Sequence, residues 1–154
     1  GKIRVETCRA YGAIEVKDNI NAEYFIVRGA IECIGSINCE KIMVELLGKC
    51  VVEEIGASEI AIGQKVKIKE KSIKHKMINK MRIHIGKEEG DLRAQAVEGD
   101  KIYLDHAKVD TVSGGEIEIG PYCEIERLEY TKSVKIHESS KVKEQIQIIT
   151  RRNR

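Results

Sequence analysis

The tetrapeptide Gly-Ala-Ile-Glu occurs twice, at Gly12–Glu15 and Gly29–Glu32, 17 residues apart. Sliding the chain by that interval lays Ile3, Val5, Cys8, Ala10 and Gly12 on Ile20, Ala22, Phe25, Val27 and Gly29. The next step reaches Ile37, Cys39, Ile42 and Val44, and a step one residue longer reaches Ile55, Ala57, Ile60 and Ile62. A second ladder runs beside the first, from Ile14 and Val16 through Ile31 and Cys33 to Cys50 and Val52. The C-terminal part repeats too. Ile117, Ile119, Cys123 and Ile125 shift onto Val134, Ile136, Ser140 and Val142, and Ile102, Leu104, Val109 and Val112 read as the preceding turn in looser register. A fixed period with position-by-position equivalence is the signature of a stacked repeat.

Within each unit the pattern is apolar-x-apolar, a break, then apolar-x-apolar, which is the strand period of two. The breaks carry Asp18-Asn19, Gly35-Ser36, Gly56 and Ser113-Gly114-Gly115, residues that tolerate the backbone of a corner. With one Phe and no Trp, the core must be aliphatic, and branched Ile and Val suit a pleated surface. The expectation is an all-β chain: a parallel β-solenoid, or β-helix, of about 17 residues per turn, forming one domain over residues 1–154. Roughly seven turns at ~4.8 Å each make a rod about 35 Å long. The inward ladder is Ile20, Ile37 and Ile55 beside Phe25, Ile42 and Ile60. An antiparallel sandwich also has many short strands, but it would not hold a fixed period. Outward positions such as Glu15, Lys17, Glu23, Glu40, Lys41, Glu118 and Lys135 explain how 34% charged residues coexist with a core.

The repeat breaks down after Gly63, and residues 64–98 read as an irregular basic insertion and its return to the rod. From Gln64 to Lys87 nine Lys and Arg stand against Glu70 alone, a local excess of eight positive charges in a chain whose net charge is +2. Val66 and Ile68 alternate with lysines as a strand would, whereas Ile73, Met77, Ile78, Met81 and Ile85 have partly helical spacing. Two readings stand. The segment is a solvated excursion, or Lys74, Lys76, Met77, Ile78, Lys80, Met81 and Arg82 contact an anionic membrane or a partner protein.

The chemical inventory is sparse. A net charge of +2 argues against a dedicated nucleic-acid partner. Five Cys cannot all pair, no CxxC or His/Cys cluster marks a metal site, and the thiols read as small core residues. The four His are scattered. Asp105 and His106 are adjacent, but strand neighbours point to opposite faces, so no dyad is expected. No phosphate-binding loop or nucleophile elbow appears. These absences point to no catalytic residues, no cofactor and no metal. An enzyme alternative comes from the left-handed β-helix acyltransferases, trimers whose hexapeptide repeat is echoed by Ile119-Gly120-Pro121 and Ile55-Gly56-Ala57. Their strict period of six does not divide 17.

The recurrent unit, G-x-I-x-x-x-x-x-I-x-A/C-E-x-Φ-x-Φ with Φ apolar, resembles that of the bactofilins, bacterial polymer-forming cytoskeletal proteins. The stretch Glu98-Gly99-Asp100-Lys101-Ile102-Tyr103-Leu104, followed by Ile119-Gly120-Pro121-Tyr122-Cys123-Glu124-Ile125 and Glu129-Tyr130, is similar to the C-terminal half of a subgroup with a mid-chain insertion. Many bactofilins have a shorter, uninterrupted core, and the tails common in the family are not seen here. The resemblance implies a right-handed β-helix that joins end to end into nonpolar, nucleotide-independent filaments serving as a scaffold for cell shape or envelope proteins. Localisation rests on the residues themselves: five unpaired thiols with no secretory signal in view read as a cytoplasmic protein, and the basic segment points to the inner face of the membrane. An open β-helix end exposes unpaired strand edges, and no helix or Pro-rich cap is read before Ile3. Ile3, Val5, Ile146 and Ile148 are the expected polymer-end residues, and the partner is a second copy of the chain.

Overall fold

The computed structural model describes residues 3–68 and 90–149. It contains seven strands: β1 (Ile3–Val16), β2 (Ile20–Leu46), β3 (Cys50–Gly63), β4 (Leu92–Leu104), β5 (Ala107–Ile119), β6 (Glu124–Ile136) and β7 (Lys141–Gln147). Each pairs in parallel with the next, so their spatial order is their chain order. Among the described residues there is no helix. This is a parallel β-solenoid, as the 17-residue period requires. β2 is longest because it runs through a corner: Asn19 Oδ1 accepts the Ser36 N–H, one turn on, at 2.9 Å.

Register follows the ladders. Cys8 pairs with Phe25, Ile37 with Ile55, Ile42 with Ile60, Ile60 with Ile102 and Ile102 with Ile117. The repeat is elastic: Ile3 meets Ile20 17 residues on, Ile37 meets Ile55 18 on, and Leu92 meets Ala107 15 on. The paired legs keep their hydrogen-bond register, so the corners absorb the difference. Gly29 sits at one such corner, at φ +151°, and a Cβ there would overlap the Gly12 carbonyl directly below. Two stacked corners can approach this closely only without a side chain.

The core is a set of continuous inward columns. Ile20, Ile37 and Ile55, with Phe25, Ile42 and Ile60, are all buried. Below them in register lie Val97, Val112 and Leu128, and Ile102 and Ile117. A third column holds Ile14, Ile31, Leu92 and Ala107 with the thiols of Cys50 and Cys123. Each buried Ile or Leu is worth about 1.5–3 kcal/mol relative to exposure. β3 pairs directly with β4, so the chain leaves the rod after Gly63 and returns without missing a rung. The return is earlier than the expected 64–98 segment implies, because Leu92 already pairs with Cys50 and residues 92–98 belong to β4. The alternation at Val66 and Ile68 does not make a strand. Both lie in irregular backbone, and the Ile68 N–H goes to the Glu45 carboxylate rather than to a strand ladder.

Candidate functional site

The root of the basic segment is built on two buried carboxylates. Outward positions of successive legs form a row containing Arg28, Glu45, Gly63, Asp105 and Gly120, in which Glu45 pairs with Gly63. An outward Glu or Asp should be wet, yet Glu45 is 2% exposed and Asp105 is 0% exposed. The chain from Gln64 to Ile68 covers them. Asp105 Oδ1 accepts the Gln64 N–H at 2.7 Å and Oδ2 accepts the Lys65 N–H at 3.1 Å and the Tyr103 O–H at 2.9 Å. Glu45 Oε1 accepts the Ile68 N–H at 3.1 Å, while its Oε2 accepts Arg28 Nε–H at 2.9 Å. Arg28 also donates to the Tyr11 hydroxyl and lies over the Tyr11 ring. These bonds satisfy backbone donors that leave the sheet ladder, which is why buried carboxylates are tolerated here. Gly63 is the enabling residue: a Cβ there would collide with the Asp105 carboxylate. Burial of the Tyr103 hydroxyl, together with its bond to Asp105, pushes its pKa well above the usual tyrosine value.

Asp105 and His106 are a pair after all. His106 Nδ1 lies 2.6 Å from Asp105 Oδ1. The expectation of opposite faces assumed extended backbone, but these residues form a corner, and His106 takes a left-handed φ of 51° that turns its ring back onto its neighbour. A carboxylate only accepts, so Nδ1 carries a proton in this contact. The ring leans on Tyr122, itself at φ 58°, with centroids 5.2 Å apart. One corner further along, Ser139 Oγ accepts the Tyr122 N–H at 3.1 Å and sits 2.8 Å from His137 Nδ1. Each bond closes a corner or joins stacked corners.

The thiols are core material. Burial lifts Cys39 to about 12 and Cys50 and Cys123 to about 11, far from a reactive thiolate. All five cysteines are free.

The rod's edges are β1 and β7, each paired on one side only among the described residues. Ile3 lies over Ile20 in register. Val5 pairs with Ala22 and is 36% exposed. At the other edge Gln145 lies on Leu128 and Gln147 on Tyr130, so two of the inward columns end in amides, while the Ile125 column ends in Val142. Ile146 falls on the outward row, beside Glu129, and Ile148 is 41% exposed while its N–H donates to the Tyr130 carbonyl. Val134 and Ile136 pack against the core and are only partly covered. Sequence reasoning missed the amide ending because Gln145 and Gln147 break the apolar pattern that marks a column. Lys74, Lys76, Met77, Ile78, Lys80, Met81 and Arg82 lie outside the described residues. Among the described residues, no helix is long and apolar enough to cross a membrane.

No family model matches the chain, and no solved structure matches it significantly. It is similar to two curated proteins of Bacillus subtilis (strain 168). The uncharacterized protein YhbF is 34% identical over 62 residues, which are 40% of this chain and 26% of that protein. The uncharacterized protein YhbE is 29% identical over 98 residues, 63% of this chain and 36% of that protein. The chain thus spans between 26% and 36% of the length of these relatives.

Proposed function

We propose that this chain is a structural module that self-assembles through the ends of its rod, in the manner of the bactofilins it resembles. The observation that carries this reading is the linear order of seven parallel strands, with one-sided pairing at β1 and β7 among the described residues. Among the described residues no strand pairs with the outer side of β1 or β7, and a second copy could continue either edge. The Val5 side chain and the partly covered Val134 and Ile136 supply apolar surface at the two edges. No nucleotide is needed for such stacking. The role is that of a scaffold in the cytoplasm, carrying partners along the inner face of the membrane.

Electron microscopy and sedimentation velocity test the proposal. The parent chain is expected to form filaments whose length grows with concentration and is indifferent to ATP and GTP. Val5→Glu places a charge at the β1 edge and is expected to abolish them while the core stays folded. The acyltransferase reading predicts instead a discrete trimer and saturable binding of acyl-coenzyme A. A parent that stays monomeric at high concentration, or a variant that polymerises unchanged, counts against end-to-end assembly.

A further inference from the structure

One flat face of the rod carries a charge pattern along its axis. Lys41, Glu59, Lys101 and Glu116 occupy successive rungs of one outward row, paired in register from β2 to β5. Lys41 Nζ lies 3.6 Å from Glu59 and Lys101 Nζ lies 3.9 Å from Glu116. All four side chains are between 44% and 67% exposed. The neighbouring row, two residues on, is Met43, Ala61, Tyr103 and Glu118. Along these rows runs an open groove of about 810 Å³, whose lining includes the outward Met43, Ala61, Tyr103 and Glu118 together with the four charged residues.

We propose that this face docks a second copy of the chain, antiparallel, about a twofold axis lying across the rod between the Glu59 and Lys101 rungs. The order Lys, Glu, Lys, Glu becomes Glu, Lys, Glu, Lys when reversed. An antiparallel copy therefore sets Lys41 against Glu116 and Glu59 against Lys101, and symmetry repeats both contacts, as an isologous interface requires. The same axis sets the Tyr103 ring against Ala61 of the other copy, a large side chain opposite a small one. A parallel copy about an axis along the rod would set each charge against its own kind. Occupation by a second copy thus follows from charge complementarity alone, which selects partner and register more than it adds affinity. A face roughly 30 Å long buries on the order of 1,000 Å² in total, the lower bound of specific interfaces. The pairing is weak for single rods and is reinforced when many rods lie in line. It uses a side of the rod, so it is independent of the end contacts proposed above.

A zero-length carbodiimide cross-link tests it. Within one chain Lys41 and Glu116 are three rungs apart, about 14 Å, too far for direct amide formation. A Lys41–Glu116 link, shown to be intermolecular by mixing isotope-labelled and unlabelled full-length protein, is the expected product, and it forms whether or not the ends assemble. K41E should weaken lateral association at least tenfold by sedimentation velocity, because it sets two Glu pairs face to face in each dimer. The exchange K41E/E116K should restore it, although within the chain that exchange places like charges on adjacent rungs. A purely intramolecular role for the ladder would make the exchange worse than the single variant. No 41–116 link at millimolar protein, or a K41E variant that associates as tightly as the parent, overturns the proposal.

Discussion

Ile42 shows what a single inward position carries. It is 1% exposed and is paired with Ile60 in the column that continues to Ile102 and Ile117. Ile42→Asp buries an unpaired carboxylate and removes a full aliphatic side chain. The expected loss is several kcal/mol, on the order of the whole stability of a domain this size. Urea denaturation should show the variant unfolded or its midpoint sharply lowered, whereas Lys41→Ser, one residue away and outward, should leave the midpoint nearly unchanged. The contrast was legible in the sequence, because period two separates inward from outward with no knowledge of neighbours. Asp105 was not legible. Its row is outward by the same rule, and only the chain laid over it makes it buried. His106 was misread for a related reason: alternation holds along a leg and fails where a residue takes a left-handed φ, and nothing in Leu-Asp-His-Ala announces that corner.

At the scale of an element, the short leg from Gln64 to Ile68 is held by carboxylates rather than by the ladder. Two substitutions probe its attachment to Asp105. Asp105→Asn keeps the shape but replaces a charged acceptor of four donors by an amide, which should cost about 1.5–3 kcal/mol. Gly63→Ala drives a methyl group into the Asp105 carboxylate and should cost about 1–3 kcal/mol through overpacking. Hydrogen exchange gives the sharper reading. In Asp105→Asn the amides of Gln64 and Lys65 should exchange faster, while that of Ile68, bonded to Glu45, should keep most of its protection. Equal loss at all three would mean that the leg docks as one unit and that neither carboxylate acts locally. The existence of this leg was legible as the place where the repeat stops. Its anchoring was not, since Glu45 and Asp105 are 60 residues apart and come to the same corner row only because stacking returns the chain there.

For the molecule as a whole, charge and shape bear on the same question. The described rod presents both signs on its faces, whereas Gln64–Lys87 carries nine Lys and Arg against one Glu. The segment leaves and re-enters the rod at neighbouring rungs, so each copy in a filament would contribute one such basic cluster at a regular interval. Each Lys or Arg near an anionic bilayer contributes about 1 kcal/mol, within a Debye length of the surface. Four to six contacts give weak recruitment for a single copy, and a filament multiplies it through effective concentration. Co-sedimentation with vesicles of anionic or neutral lipid measures this. The parent should bind anionic vesicles at low salt, release at high salt and ignore neutral ones. Replacing Lys74, Lys76, Lys80 and Arg82 together by Ser should abolish binding without changing filament length. The Val5→Glu variant, with its basic cluster intact, should bind far more weakly than the parent at equal mass, because only the multiplicity is gone. If the Ser variant binds as the parent does, the cluster is a solvated excursion; if Val5→Glu binds equally well, recruitment does not draw on assembly.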